Sequence, residues 1–223
     1  FMQTCVMASI EAAYQIKELA DYYVASEQTA WYKPLDFPMA ITGNTDPESL
    51  ALKIALEYHN SVSLPHTISV ARLSKVSDLT TKLSVLAKLL NNRVDDIRNV
   101  MPQVQRFDSN DDLKIDSEDE LIDLYDFVRL MKSTTSSQEI KDAATAVMDI
   151  IFDNPNPTNR YILLREKRSG IWNNQDWQLE RSYGVMIFFS AIERSFYKGE
   201  NLDFAAGTVW GPVSTSIMIS SYN

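Results

Sequence analysis

Cysteine and histidine are scarce in this sequence: of its 223 residues, one is a cysteine, Cys5, and two are histidines. A single cysteine excludes an intrachain disulfide and any metal site that needs several thiolates. Long apolar runs are also missing, since residues 161–164 and 185–189 fall far short of the ~20 residues that span a bilayer. The sequence therefore predicts no transmembrane segment.

Basic residues are outnumbered, because 21 Lys and Arg face 30 Asp and Glu and leave a net charge of −9. Proteins that follow nucleic-acid phosphates depend on clustered basic side chains, so no nucleic-acid partner is predicted. Much of the negative charge is concentrated in residues 108–126, where Lys114 is the only base. With 45% hydrophobic and 23% charged residues, the composition is that of a folded globular chain.

Helical and strand patterns alternate along the chain. Apolar residues at helical spacing predict helices over residues 6–21, 47–60, 76–90, 121–131 and 140–151. Strands are predicted over residues 1–4, 22–25, 66–73, 160–167 and 183–190, with a long loop over 26–43 and a last helix or irregular cap from Thr208. Because two strands are continuous apolar runs, we predict an α/β fold with a mostly parallel sheet covered by helices on both faces and an additional helical part.

Cys5 is the candidate nucleophile. It lies between a predicted strand and a predicted helix, which is where α/β sheets place their ligands. Backbone N–H groups at such a junction favour a thiolate and can hold an oxyanion. The alternative is that Cys5 is a small buried hydrophobe, the usual role of a lone cysteine.

Two segments resemble the clostripain-type cysteine peptidases, in which an Asp-Ala-Cys-Leu-Met sequence enters a helix and a later strand ends in Ala/Gly-Ser. The corresponding segments here are Cys5 to Tyr14 and Ala20 to Glu27. Weaker similarities lie in residues 67–79, 123–127 and 183–189. The resemblance is scattered over the whole chain, and only the block around Cys5 is specific. It implies that Cys5 is the nucleophile of a peptidase acting on a peptide or protein substrate.

The same resemblance implies a caspase-like fold in which residues 1–223 are one domain, the C-terminal or heavy-chain portion of a larger peptidase. The chain does not begin with methionine, and we expect the N-terminal strands to lie in a light-chain segment of the same precursor, released by autoprocessing. Neither His59 nor His66 matches the histidine of the family's Cys-His dyad, so we expect that histidine in the same segment. The family also implies a secreted or cell-surface bacterial protein.

This sequence departs from the family pattern in the pocket that binds the residue before the scissile bond. The family's Asp two residues before the cysteine is Gln3 here, and its second acid falls at Lys33, with Asp36 reachable through a short insertion. Ser26 and Glu27 complete the expected substrate-binding set. Two functions stay open: a cysteine endopeptidase of altered specificity, or an inactive homologue that acts as a binding module. A third interpretation is that only the fold is shared and that Cys5 is inert.

Residues 108–119 superficially resemble a calcium-binding loop, and some relatives are calcium-dependent. Leu113 occupies the position that needs glycine, however, and Asp119 the position of a bidentate Glu. We expect no metal or other cofactor there, and instead a helix start capped by Asp116 or Ser117. The calcium dependence of relatives leaves a calcium site elsewhere in the protein open.

Loop aromatics form the last candidate group, and they either line a substrate groove or pack onto a small satellite core. The residues concerned are Trp31, Tyr32, Trp172 and Trp177. The sequence does not decide between these two roles.

Overall fold

Helices and strands alternate along the chain in a computed structural model that describes residues 1–32, 46–91, 93–189 and 204. The helices are α1 (Ile10–Ile16), α2 (Pro47–Ser61), α3 (Val76–Leu90), α4 (Val94–Val100), α5 (Leu124–Thr134) and α6 (Gln138–Met148). The strands are β1 (Tyr22–Ala25), β2 (His66–Arg72), β3 (Arg106–Phe107), β4 (Leu121–Asp123), β5 (Ile162–Arg168), β6 (Gly170–Trp172), β7 (Gln175–Trp177) and β8 (Met186–Phe188). None of the described helices is both long enough and apolar enough to cross a bilayer.

Local sequence explains the two long helices, and both predictions are confirmed. Helix α2 begins where Asp46 accepts hydrogen bonds from the N–H groups of Glu48 and Ser49, each at 3.1 Å, with proline in its first turn. Helix α3 buries one stripe of its surface, because its apolar residues step by three and four positions. That stripe consists of Val76, Leu79, Leu83, Leu86 and Leu90.

The central sheet has the strand order β1-β2-β5, and helices cover both of its faces, as predicted. On one face, Val24 and Val70, which are paired in register, pack with Ile68 against α2. On the other face, Tyr23 and Ala71 join the larger core that contains α1, α3, α5 and α6. A second sheet, β3-β4-β8, and the β6-β7 hairpin lie outside the central sheet.

The direction of pairing differs from the expected parallel arrangement, because β1, β2 and β5 pair antiparallel. Helix α2 begins beside the start of β1, where Tyr22 donates to Glu48 at 2.9 Å, and Arg72 at the end of β2 donates to the same carboxylate. Near the other end of α2, His59 contacts His66 at the start of β2. The chain therefore enters β2 from the end at which β1 finishes. Alternation of helices and strands does not fix strand direction when a loop and a helix both separate two strands.

Several boundaries near the site also differ from the sequence-based ones. Residues 1–4 make no strand, and α1 begins at Ile10 rather than near Val6. Helix α5 is capped by Asp123, which accepts from the N–H of Asp126, so the prediction of a helix start at 116 or 117 is wrong. Those residues lie in a loop whose carboxylates accept backbone N–H groups of the same loop. The predicted cap from residue 208 lies outside the described residues.

We predict that Leu83→Ala lowers the free energy of unfolding by about 2 to 5 kcal/mol, because Leu83 is fully buried and truncation leaves a cavity. The matched control is Val85→Ala on the same helix, where the side chain is 50% exposed and the expected change is within about 0.5 kcal/mol. Urea denaturation measures both free-energy changes, and an unchanged m-value shows that a substitution altered stability alone. Equal effects of the two substitutions would contradict the described face of α3.

Candidate active site

Cys5 is a free, exposed thiol in a tight turn. The next residue, Val6, has φ of +48°, a conformation that a β-branched residue adopts only under constraint from its surroundings. The backbone N–H of Ala30 donates to Sγ at 3.4 Å. The thiol is therefore accessible to a substrate, and the interpretation of Cys5 as a buried hydrophobe is wrong.

Backbone hydrogen bonds hold the turn against residues 26–28. The N–H of Val6 donates to the carbonyl of Gln28 at 3.3 Å, and those of Met7 and Ala8 both donate to the carbonyl of Ser26 at 2.9 Å. The sequence led us to expect that backbone amides near Cys5 hold an oxyanion, and these three directly follow it. Because each already has a carbonyl acceptor, they do not form a ready oxyanion hole in this structure.

Thr67 on β2 holds residues 26–28 in turn. Its hydroxyl oxygen accepts hydrogen bonds from the N–H groups of Glu27 at 2.8 Å and Gln28 at 3.1 Å, and it contacts the Ser26 hydroxyl at 3.1 Å. The sequence marked Thr67 only as part of a strand. Its role depends on a contact between β2 and the end of β1, which no local pattern reveals.

A buried carboxyl pair lies beneath the loop. Glu27 and Asp123 are 1% and 0% exposed, and their carboxyl groups hydrogen-bond to each other. Burial, and then the charge of Asp123, raises the pKa of Glu27 well above its usual value, while burial raises the pKa of Asp123 to about 7. Both shifts favour the protonated form, so the pair is disposed to retain a proton rather than carry two buried negative charges. The expected substrate contact points into the protein instead.

The other expected substrate-binding residues are placed as follows. The Gln3 side chain is partly exposed and donates from Nε2 to the carbonyl of Trp31 at 3.3 Å, close to Cys5. Ser26 is fully buried, and its hydroxyl donates to the carbonyl of Gln28 at 2.8 Å. Lys33 and Asp36 lie outside the described residues.

Three tryptophans meet beside the Cys5 turn. The ring centroid of Trp31 lies 4.6 Å from that of Trp172 and 6.2 Å from that of Trp177. Trp177 is 1% exposed, whereas Trp31 and Trp172 are half-buried. Trp172 and Trp177 belong to the β6-β7 hairpin rather than to a loop, because Asn173 and Asn174 both adopt the positive φ of a tight hairpin turn. The cluster is thus a small core with a partly exposed edge, and its Trp31 follows Ala30, whose N–H donates to the thiol.

The two histidines pair with each other. His59 Nδ1 lies 3.1 Å from Nε2 of His66, and Nδ1 of His66 donates to the carbonyl of Leu64 at 2.7 Å. Burial lowers the pKa of His66 to about 4, so it is neutral at physiological pH. His59 Nε2 faces Glu166 at 3.8 Å. These contacts give both imidazoles structural partners, as expected from the absence of a match to the family's histidine.

A buried tyrosine lies beside the histidine pair. Tyr58 is fully buried with its ring 5.4 Å from that of His66, and burial raises the pKa of its hydroxyl to about 12, with a smaller contribution from Cys5.

Within residues 1–32, 46–91, 93–189 and 204, no three His, Cys, Asp or Glu side chains are grouped so as to hold a metal ion.

With this geometry, comparison with known proteins identifies the family. The model of the clostripain family, Peptidase_C11, matches residues 1–201. The chain belongs to the clostripain family. The resemblance inferred from the block at Cys5 is thereby confirmed, and no curated protein sequence matches the chain.

Solved clostripain-family structures share the fold. One is an inactive zymogen C11 protease from Parabacteroides distasonis, with a TM-score of 0.62 and 15% identity, covering 96% of this chain and 57% of that one. A clostripain from Bacteroides thetaiotaomicron, in complex with the peptide inhibitor BTN-VLTK-AOMK, has a TM-score of 0.61 and 17% identity over 96% of this chain and 85% of that one. A secreted C11 cysteine protease from the same species has a TM-score of 0.58 and 16% identity, over 95% and 54%. The caspase-like α/β fold is confirmed, and the chain spans little more than half the length of two of these proteins.

We predict that the neutral state of His66 makes the protein sensitive to acid. The unfolded chain takes up a proton below pH 6.5, whereas folded His66 does so only near pH 4, so stability falls as pH decreases through this window. His66→Asn keeps an N–H that can donate to Leu64 and removes the titration. Between pH 6.5 and 4, the free energy of unfolding of the variant should fall by about 1 to 3 kcal/mol less than that of the wild type. Urea unfolding at each pH measures this difference. If the free energy of unfolding had the same pH dependence in both proteins, the neutral state assigned to His66 would be wrong.

Proposed function

We propose that this clostripain-family chain carries the nucleophile of a cysteine endopeptidase, and that Cys5 is that nucleophile. The observation that carries the proposal is the exposed thiol of Cys5, held in a constrained turn by residues 26–30 in a chain of this family. A thiol kept only for packing would be buried.

In the proposed reaction, a histidine takes the proton of the Cys5 thiol, the sulfur attacks the carbonyl carbon of the scissile peptide bond, and the carbonyl π electrons move onto oxygen. The tetrahedral intermediate collapses to a thioester as the C–N bond breaks, and the histidine passes that proton to the leaving amine. Water then attacks the thioester while the histidine accepts one of its protons, and the C–S bond breaks as the histidine returns this proton to sulfur, which releases the carboxylic acid and restores the thiol. We assign that histidine to the N-terminal segment of the precursor, since His59 and His66 are committed to each other.

The oxyanion needs donors other than the occupied amides of residues 6–8. In the described part of the chain, the N–H of Ala30 already points at Sγ. We propose that it contributes to oxyanion stabilisation, together with donors of the N-terminal segment. Each such donor is typically worth a factor of about 10² to 10³ in turnover.

Precursor processing and peptide binding follow by similarity. The likeness to a zymogen and to a clostripain bound to a peptide inhibitor supports an N-terminal partner segment and a peptide substrate. The likeness to a secreted protease supports a secreted or cell-surface location. We expect residues 1–223 alone to be inactive and poorly stable, and to co-purify with the N-terminal segment of the same precursor.

A binding module without peptidase activity is the second candidate function. It is favoured by Gln3, which stands where the family has an acid and whose amide is already hydrogen-bonded to the carbonyl of Trp31. Such a module would bind peptides beside Cys5 and leave them intact.

We predict that Cys5→Ala in the full-length precursor lowers peptide hydrolysis on the order of 10⁴-fold or more, because no other nucleophile replaces the thiol. Leu83→Val, a conservative core change remote from the site, serves as the control for folding. Turnover of a mixed peptide library measured by mass spectrometry decides the matter. A wild-type precursor that binds these peptides without cleaving them would favour the binding module.

A separate prediction concerns which residue is preferred before the scissile bond. Gln3 offers a basic side chain a neutral hydrogen bond, about half as strong as a charge-assisted one, so neutral or acidic residues before the scissile bond should compete well with Arg and Lys. Gln3→Asp should raise the preference for Arg and Lys at least several-fold, whereas Gln3→Asn, whose side chain has the same size as aspartate but no charge, should not. The ratio of kcat/KM values for matched peptides measures this. Exclusive cleavage after Arg or Lys by the wild type would show that another acid supplies the charge.

A further inference from the structure

We propose that Glu27 is a positioning residue for Cys5, and that it acts by sharing one proton with Asp123 and thereby locking residues 26–30 against the thiol. The inference rests on the proposed function, because Cys5 is taken to be the group that needs positioning. It assigns Glu27 a different role from the substrate contact expected from the sequence.

The carboxyl pair is enclosed by backbone donors. Asp123 accepts hydrogen bonds from the N–H groups of Asp126 at 2.6 Å and Tyr183 at 2.5 Å, so its oxygens serve as acceptors. The backbone N–H of Gly184 donates to Glu27, whose Oε1 has no hydrogen-bond partner among the described residues. Gly184 has φ of +94°, and a Cβ there would lie 2.9 Å from that of Ser69. Glycine is therefore required for the Gly184 N–H to approach the pair.

The pair is linked to Cys5 by short stretches of backbone. On either side of Glu27, the carbonyls of Ser26 and Gln28 hold the amides that follow Cys5. The N–H of Ala30, a few residues further on, donates to the thiol. Since the Glu27 side chain is anchored on Asp123 at the start of α5, movement of Glu27 would move each of these backbone groups.

The charges that face the pair come from three neighbouring parts of the chain. Asp126 on α5 is buried and is ion-paired with Arg129 at 2.6 Å and with Arg181 at 3.8 Å. Lys167 on β5 faces Glu27 and partly offsets its burial. Lys167 is itself engaged with backbone carbonyls, including that of Ser182 at 3.2 Å. If both carboxyls of the pair were ionised, Lys167 would face the second negative charge while also bound to those backbone carbonyls.

Loss of protons from the pair should therefore weaken the lock as pH rises. The unfolded carboxyls ionise near pH 4, whereas in the folded protein burial raises the pKa of Asp123 to about 7 and that of Glu27 well above its usual value. Between these limits the folded state binds more protons than the unfolded state, so stability from this pair falls as pH rises and is fully lost above the window. This direction is opposite to that of His66.

The experiment compares Glu27→Gln with Glu27→Ala in the full-length precursor. The glutamine amide keeps a donor to Asp123 and cannot ionise, whereas alanine removes the contact. Glu18→Gln, at an exposed position on the surface, is the matched control for loss of one charge. We expect wild type and the control to lose stability toward urea from pH 5 to 8, and Glu27→Gln to lose much less.

Cys5 itself supplies the second readout, through its rate of alkylation by iodoacetamide and by a peptidyl acyloxymethyl ketone. At pH 6, Glu27→Gln should react within about twofold of wild type and Glu27→Ala on the order of tenfold more slowly, since the Ala30 N–H that favours the thiolate would no longer be held against Sγ. As pH rises from 6, the rate for wild type relative to that for Glu27→Gln should fall. Equal rates for Glu27→Ala and wild type, or parallel pH curves for Glu27→Gln and wild type, would overturn the proposal. If iodoacetamide rates follow the expectation but the peptidyl reagent does not label wild-type protein, the proposed peptidase function fails and the positioning role stands.

Discussion

The carbonyls of Ser26 and Gln28 determine where Cys5 stands. They accept the amides of the residues that follow Cys5, and their own segment is held by the Thr67 hydroxyl in the middle of the central sheet. The position of the thiol therefore depends on the packing of β2 between two apolar cores. The same bonds have a chemical consequence, because amides used to hold the turn are not available to an oxyanion.

Buried polar groups carry much of the site's organisation. A neutral hydrogen bond between uncharged groups would hold the loop at less electrostatic cost than a carboxyl pair. Glu27 and Asp123 instead place two titratable groups at a point where the end of β1, the start of α5 and Gly184 meet. Burial raises the pKa of both groups, which favours a proton kept on the pair over two buried anions.

The open edge of the tryptophan cluster gives the site its other feature. Trp31 is fixed by a hydrogen bond from its indole N–H to the carbonyl of Pro65 at 2.6 Å, and its own carbonyl accepts from Gln3. Gln3, Trp31 and, through the Ala30 N–H, Cys5 are thereby held together.

The sequence by itself determined the two long helices, α2 and α3, and the family. Asp46-Pro47 and the apolar stripe of α3 act within a few residues of chain, and the block beginning at Cys5 is specific enough to identify its relatives. Tertiary structure alone decided the antiparallel direction of β2, the pairing of His59 with His66, and the meeting of Glu27 with Asp123. Each of these joins residues that are separate in the sequence, and their energies come from burial and from contact across elements, which a local pattern of residues does not encode.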